Sequence, residues 1–386
     1  MCGVAGILHF DRSDPVANEI LLKMNQMMVH RGPDSDGTYI SKDERVGLGH
    51  CRLSIIDLSD GASQPMSNRD GSVWISYNGE IYNHKKLRLQ LEARGYQFRS
   101  DHSDTEVLVH GYEAWGIKGL LEKLEGMFAF AIWDAKKGQL TIVRDRVGIK
   151  PIYFTKRAGA LVFASEIKAI LAHPNIPSRV GEAALYHYLT YLTTPAPLTM
   201  FDGIYKLPAA HYLEINLKGS LRSERYWSPE PGSGVDTAQL QGLDEEARAK
   251  FYQQSIMTRL ESSVQKRMMS DAPYGAFLSG GIDSALTAAI AVDALGKENV
   301  RGIRMPSSLS SKGSLREAEE SARLLNIKLE TIDIRGLVES YDNHLENIFS
   351  NTKKDITEEN IQSRIRGVSV SYTHLRAHET EADLVC

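Results

Sequence analysis

The sequence predicts an α+β domain of stacked antiparallel sheets followed by an α/β domain on a parallel sheet, and three observations carry that prediction. Residues 1 to about 170 are dense in short apolar runs separated by turn residues. A polar stretch containing Pro and Gly, "WSPEPGSGVDTAQLQGLDEE" from Trp227, offers few large apolar side chains and reads as a linker. Beyond it, strands alternate with helical periods.

Taken in order, "VAGILHF" is the first strand, a helical period covers Ile20 to Met28, and "SVWISYNG" is the next alternating run. A second helical period spans Lys86 to Arg94 and a third follows Asp104. "FAFAIWDAKKGQLTIVRD" and "PIYFTKRAGALVFAS" each hold two apolar runs around a break, "DAKKGQ" and "KRAGA", and read as hairpins. After the linker come a helix from Ala247 to Met268, a buried strand "YGAFLS", a glycine loop and a helix through Leu295. A strand "VRGIRM", a helix "SLREAEESARLLNI" and a strand "LETIDI" follow, a spacing that calls for right-handed crossovers in a parallel sheet. Near Gly367 this alternation stops, and the last segment has no apolar period.

A length of 386 residues suits two or three domains, each able to bury a core of its own. Hydrophobic content of 42% and charged content of 24% are ordinary for soluble globular chains, and no apolar run is long enough to span a bilayer. A net charge of -4 gives no basic footprint for nucleic acid, so neither nucleic acid nor membrane is an expected partner. The N-terminus has no basic segment ahead of its apolar run, which argues against a secretory signal and makes a cytoplasmic location the expectation. Three scattered cysteines, Cys2, Cys51 and Cys386, make no disulfide framework, and the 12 histidines form no zinc spacing. Cys51 lies in a buried-looking run and reads as core.

The loop "SGGIDS", Ser279 to Ser284, follows a strand and opens a helix, so its backbone N–H groups converge with the helix N-terminus on an anion site. Gly280 and Gly281 permit close backbone approach, and Ser279 and Ser284 add hydroxyl donors. No Lys follows, so this is not the Walker pattern. Asp283 would repel a bare phosphate but suits a divalent cation bridging it to phosphates. The alternative is a tight strand-to-helix turn without ligand. The hexapeptide in this context resembles the pyrophosphate loop of the ATP pyrophosphatases. That resemblance implies ATP contacts from Leu278, Ser279, Gly280, Gly281, Ile282, Asp283 and Ser284, with Ile303 on a neighbouring strand and magnesium at Asp283.

"MCGVAGI" puts Cys2 where removal of Met1 would leave it with a thiol and a free α-amine, the latter of reference pKa about 8 and able to act as base for its own side chain. Alone, Cys2 would read as a small buried residue opening a strand. "HRGPDSDG", "GHCRLSIIDLSDGASQPM", "YNGEIYN", "SDTE", "GMFAFAIWD" and "RDRVGIKPIYF" accompany it, and together they resemble the N-terminal glutaminase domain of class II glutamine amidotransferases. The match is closest to glutamine-hydrolysing asparagine synthetases. It implies an N-terminal-nucleophile αββα fold with Cys2 as the nucleophile that takes the glutamine amide to a thioester. By the same resemblance Arg52 grips the glutamine carboxylate, within a binding run continuing through Leu53, Ser54, Ile55 and Ile56. Asn78 and the N–H of Gly79 form an oxyanion hole, and Glu80 and Asp104 hold the α-amino group. Structural readings stand beside these: Arg52 as a surface ion pair, Asn78-Gly79 as a type I′ hairpin turn, Asp104 as a helix N-cap.

The acceptor of the ammonia is divided. "ESSVQKRMMSDAPYGAFLSGGIDS" resembles the entry to an asparagine synthetase domain, where aspartate is adenylated with release of pyrophosphate. The residues after the loop, including "MPSSLSS" and "EENIQSRIRG", are similar instead to NAD synthetases, with Asn360 and Arg364 as contacts for deamido-NAD or ATP, or as helix-surface residues. Glutamine-using NAD synthetases carry a nitrilase-like glutaminase, so a join by recombination or misassembly at the shared loop is the expectation. The tail "SVSYTHLRAHETEADLVC" resembles a translated sequencing adapter and is expected to be non-native.

The expected organisation is a glutaminase domain over 1–210, a connector over 211–250, a truncated ATP pyrophosphatase domain over 251–368 and the tail over 369–386. The expected activity is glutamine-dependent, AMP-forming amidation of aspartate. NAD synthesis and a synthetase-inactive glutaminase fragment are the alternatives. Glutamine, ATP, and aspartate or deamido-NAD are the expected small-molecule partners, and the resemblance implies a homodimer.

Overall fold

A computed structural model of the chain describes residues 1–11, 14–230, 240–271, 276–277, 279, 281–308, 310–340, 343, 362 and 365–366. It divides into two compact units, Met1–Val235 and Asp236–Cys386.

The first unit runs β1 (Gly3–His9), α1 (Asn18–Gln26), β2 (Ser35–Ile40), β3 (Val46–Arg52), β4 (Met66–Ser67), β5 (Val73–Ile81), α2 (His84–Glu92), α3 (Asp104–Lys123) and β6 (Gly126–Asp134). It continues with β7 (Gln139–Arg144), β8 (Tyr153–Arg157), β9 (Ala160–Ala164), α4 (Ile167–Leu171), α5 (Glu182–Tyr191), β10 (Tyr205–Lys206), β11 (His211–Asn216) and β12 (Leu221–Arg225). The strands form two six-stranded antiparallel sheets, ordered β10-β8-β9-β1-β3-β2 and β12-β11-β7-β6-β5-β4.

Period-two alternation sorts each strand's side chains into two cores. Val4, Leu8, Leu48 and Phe163 of the first sheet meet Ala131, Trp133, Ile142 and Leu213 of the second. On the outer face of the first sheet Ala5 and Ile7 pack on Leu21 and Met24 of α1 and Ile170 of α4. On the outer face of the second, Ile75 and Phe130 pack on Leu87 of α2 and Leu108 and Tyr112 of α3. The result is a helix, sheet, sheet, helix sandwich, the αββα arrangement. Each fully buried Ile, Leu or Phe in it contributes about 1.5–3 kcal/mol. A Cβ on Gly6 would sit 2.2 Å from the Phe163 ring, so the sheets close only over a glycine there.

The antiparallel hairpins β6-β7 and β8-β9 fall on the two runs read as hairpins. β11 and β12 add a further hairpin to the β7 edge. These two strands lie in the stretch 211–250, expected as connector, and "LRSER" in β12 lacks apolar alternation because that edge strand is largely exposed.

The second unit contains α6 (Glu245–Arg267), β13 (Ala276–Phe277), α7 (Ile282–Leu295), β14 (Arg301–Arg304), α8 (Lys312–Leu325) and β15 (Lys328–Thr331). The strands pair in parallel in the order β13-β14-β15, with α7 and α8 as crossovers. Asp244 caps α6 by accepting from Ala247 N at 2.8 Å, and Ser311 caps α8 by accepting from Ser314 N at 3.0 Å. Asn326 ends α8 in the left-handed conformation at φ 53°. Ala288 and Ala291 of α7 and Ala318 and Ala322 of α8 pack with Val300 and Ile327 in a small core. The tail 369–386 lies outside the described residues.

Candidate active site

Register determines which residues of the first unit face each other. Gly3 pairs with Cys51 across β1 and β3, and Cys51 faces α1, where its thiol donates to Asn25 O at 3.2 Å. By alternation the adjacent Arg52 and Cys2 face the opposite way, toward the second sheet. In β5, Ile75, Tyr77 and Ile81 pack on the helix side, so Ser76, Asn78 and Glu80 face the first sheet. Ser76 Oγ donates to Gly49 O at 2.8 Å, which ties the two sheets together beside this point. Cys2 and Arg52 on one sheet thus oppose Asn78 and Glu80 on the other.

The Cys2 thiol is held by Leu53: its Sγ donates to Leu53 O at 3.6 Å and accepts from Leu53 N at 3.4 Å. Burial pushes the thiol pKa up, while the Leu53 N–H, the terminal amine and Lys150 act in the opposite direction. Burial also pulls the Met1 amine down to about 6, with Cys2 opposing that shift. Arg31 Nε donates to Cys2 O at 3.0 Å and its Nη1 to Glu166 at 3.1 Å, fixing the backbone that carries the thiol. Gly32 presses so close to β3 that a Cβ would lie 2.3 Å from Cys51 O.

Arg52 is buried rather than in a surface ion pair. Nη1 donates to Ser59 O at 3.0 Å and Nη2 donates to Asp57 O. Asp57, at φ 55°, turns that loop back, with its carboxylate accepting from Ser59 N at 3.2 Å and His102 N at 3.4 Å. Leu53, Ser54, Ile55 and Ile56 are half-buried along the rim, and Ser54 N donates to Asp34 at 2.7 Å.

Asn78-Gly79 is mid-strand in β5, paired with Ala129 and Phe128 of β6, and not a hairpin turn. Asn78 is 1% exposed and its Nδ2 has no acceptor among the described residues. Tyr77 N donates to Gln64 Oε1 at 2.7 Å and Ile81 N to Asp104 Oδ2 at 3.0 Å, both on the β5 edge away from β6. Gly79, two residues from each, presents its N–H to that same edge. A Cβ on Gly79 would meet Met127 O at 2.3 Å, so no larger residue fits the strand here.

Asp104 does not cap α3; Ser103 does, accepting from Thr105 N at 3.2 Å. The Asp104 carboxylate is buried and accepts from Tyr77 Oη at 2.7 Å as well as from Ile81 N. Burial pushes its pKa up against these hydrogen bonds. Glu80 is pushed up to about 7, first by burial and then by Asp104, with Lys150 opposing. His50, behind Arg52, is held neutral by burial, its pKa pulled down to about 3. The site therefore joins a thiol, a guanidinium, an unsatisfied amide donor beside a free-edge N–H, a buried carboxylate from Asp104 and a half-buried one from Glu80. That set can bind a zwitterion and stabilise an oxyanion formed by attack of the thiol. Sequence reasoning gave no role to Arg31, Gln64, Glu166 or Lys150. Arg31, Gln64 and Lys150 stand in the quoted motifs "HRGPDSDG", "GHCRLSIIDLSDGASQPM" and "RDRVGIKPIYF", and that placement was the available signal.

In the second unit Ser279, Gly281, Ile282, Asp283 and Ser284 lie at the start of α7, and Ile303 lies on β14, paired with Phe277 of β13. Ser279 N donates to Ser284 Oγ at 3.1 Å, and Ser284 Oγ donates to Gly281 O at 2.9 Å. These exposed hydroxyls and the helix N-terminus suit an anion such as a polyphosphate. Among the described residues no group of three acidic, His or Cys side chains could hold a metal ion. Ser307 of "MPSSLSS" donates to Gln362 Oε1 at 2.5 Å, and Arg366 Nη2 reaches Ser307 Oγ at 3.5 Å. Ile334, Val338 and Ile365 form a core beside them. Leu278, Gly280, Asn360 and Arg364 lie outside the described residues. Among the described residues no helix is long and apolar enough to cross a membrane.

Comparison with known proteins finds a glutamine amidotransferase domain over residues 1–227 and an NAD synthase domain over residues 252–381. Asparagine synthetase [glutamine-hydrolyzing] 2 of Bacillus subtilis is 40% identical over 308 residues, covering 76% of this chain and 39% of that protein. A putative asparagine synthetase [glutamine-hydrolyzing] 2 of Methanocaldococcus jannaschii is 35% identical over 305 residues, covering 74% of this chain and 56% of that protein. A glutamine phosphoribosylpyrophosphate amidotransferase structure from B. subtilis aligns with TM-score 0.45 at 20% identity, over 86% of this chain and 65% of that one. The chain thus spans between about two fifths and just over half of these curated relatives' length.

Proposed function

This chain belongs to the glutamine amidotransferase domain family, and from that premise we propose that it hydrolyses glutamine at Cys2 and supplies the ammonia to an ATP-dependent amidation. The observation that carries the reading is the unsatisfied Asn78 Nδ2 beside the Gly79 N–H, across the sheets from the half-buried Cys2 thiol.

Loss of Met1 would leave the α-amine on Cys2, where an amine of reference pKa about 8 can take the thiol proton. The thiolate attacks the amide carbon of glutamine, and the oxyanion accepts hydrogen bonds from Asn78 and Gly79. Each such donor is worth about 3 kcal/mol. Collapse expels ammonia with the proton returned by the amine and leaves a thioester, which water hydrolyses to glutamate. Arg52 binds the α-carboxylate, and Glu80 and Asp104 the α-ammonium. Leu53, Ser54, Ile55 and Ile56 wall the pocket.

In the second unit ATP is proposed to seat its phosphates on the loop Leu278 to Ser284 and its base near Ile303. Asp283 would hold magnesium, which would offset the negative charge of the phosphates. Aspartate is the acceptor the curated relatives support. Deamido-NAD is the second reading, favoured by the NAD synthase match over 252–381 and by the contact of Ser307 with Gln362 and Arg366. Asn360 and Arg364 belong to that reading. The domain division at 210, 250 and 368, the join at the loop, the adapter-derived tail, a homodimer and a cytoplasmic location remain parts of the proposal.

The test is glutamate release by the full chain with and without Cys2→Ala, together with AMP formation on aspartate or deamido-NAD. Activity abolished by Cys2→Ala supports the glutaminase, and equal rates overturn it. AMP formed with one acceptor assigns the synthetase, whereas none with either leaves the glutaminase-only reading.

A further inference from the structure

Arg52 is oriented by backbone, and one aspartate shapes that backbone. Its Nη1 donates to Ser59 O at 3.0 Å and its Nη2 donates to Asp57 O, from a residue only 6% exposed. Carbonyls bring no counter-charge, and Arg52 forms no ion pair among the described residues, so its remaining N–H donors are left for an anion.

Asp57 makes those two carbonyls converge. Its backbone takes the left-handed conformation at φ 55°, which few residues besides Gly, Asn and Asp adopt readily, and the chain turns back between residues 57 and 59. The Asp57 carboxylate, on a residue 2% exposed, locks this turn: Oδ1 accepts from Ser59 N at 3.2 Å and from Ser59 Oγ at 2.5 Å. Its other oxygen reaches a different loop, accepting from His102 N at 3.4 Å.

The loop that carries His102 leads directly into Asp104, and it is tied down by three side chains. Arg88 of α2 donates from Nη1 to Ser100 O at 3.3 Å and to Asp101 O at 2.6 Å. The buried Glu106 of α3 accepts from Arg99 N and Ser100 N, each at 2.8 Å, and from Ser100 Oγ at 2.6 Å. Asp57 is the third tie, and of the three it is the one that runs to the Arg52 loop.

We propose that Asp57 is a positioning residue that sets the Arg52 guanidinium at a fixed separation from the Asp104 carboxylate, so that the pocket selects an amino acid with both a free α-carboxylate and a free α-ammonium. This rests on the reading that Arg52 and Asp104 bind those two groups of glutamine. Asp57 acts through its neighbours: its carbonyl holds one receptor, and its carboxylate steadies the loop that leads to the other.

The test is ammonia release by the full chain from L-glutamine and from L-glutamine methyl ester, whose α-carboxylate is masked, for the parent, Asp57→Gly and Asp57→Asn. Gly keeps the left-handed backbone and deletes the carboxylate, and Asn keeps one acceptor oxygen. Asp57→Gly is expected to raise KM for L-glutamine about tenfold with kcat changed less than about twofold, and to leave kcat/KM for the ester near the parent value. The preference for a free carboxylate then falls about tenfold, and in Asp57→Asn by about threefold, which also serves as the comparison if the Gly variant does not fold. A preference retained in full, or an equal loss on both substrates, overturns the role of Asp57. A parent that treats the two substrates alike defeats the placement of Arg52 instead. Ammonia release that Cys2→Ala does not abolish defeats the glutaminase reading itself, and the inference falls with either, so the failures are distinguishable.

Discussion

At the residue scale the site is a set of polar groups kept dry, and Glu80 makes the consequence measurable. Its carboxyl is raised from 4.5 to about 7, so between those values the unfolded chain has released a proton that the folded chain retains. Stability contributed by the neutral form is complete below the lower value and is lost as pH rises to the upper one. Glu80→Gln removes that loss. Relative to the parent it should gain up to about 3 kcal/mol between pH 5 and pH 8, read by chemical denaturation at the two values. Parallel behaviour of parent and variant would contradict the burial of an ionisable Glu80. Residue types told much of this in advance: Cys2, Arg52, Asn78, Glu80 and Asp104 stand in quotable motifs. The hydrogen bonds that choose between readings of Asn78 and Asp104 were not legible, because Tyr77, Gln64 and Ser103 acquire meaning only once β5 and α3 are packed.

At the scale of elements, facing is decided by parity. One residue of slippage of β3 against β1 would turn Arg52 toward α1 and bring Cys51 to the pocket. The runs of β1, β5, β6, β7, β8 and β9 could be read because short apolar stretches rich in β-branched and aromatic residues are bounded by turn residues. β3 was quoted only as a motif, since "VGLGHCR" fills its α1-facing positions with Gly47 and Gly49, against which Leu21 and Asn25 pack. β12 was hidden by its polarity. The turn 144–150 is the element most dependent on one side chain. Asp145→Ala would strand four backbone N–H groups, and a loss of about 2–4 kcal/mol is expected. Hydrogen exchange should show lost protection at Val147, Ile149 and Lys150. Unchanged exchange there would mean the turn is held by Arg144 alone.

At the scale of the whole molecule the two units match two domain families, and they were unequally legible. The first declares itself by motifs spread over its length and closes two six-stranded sheets around its own cores. The second shows three parallel strands, a small alanine-rich core and a loop suited to phosphate. Its acceptor was not legible, because the loop "SGGIDS" is common to both resemblances and the flanking sequences speak for different substrates. The Ser307 contacts with Gln362 and Arg366 join the two NAD synthetase-like segments to each other, which argues that they derive from one ancestral domain.

The central claim is that Cys2 is the nucleophile of a glutamine site. Intact and peptide mass spectrometry of the full chain after exposure to a diazoketone analogue of glutamine tests it most directly. The account predicts a chain lacking Met1 and carrying a single adduct on Cys2, protected by excess glutamine. No adduct, or one on Cys51 that glutamine does not prevent, would contradict it.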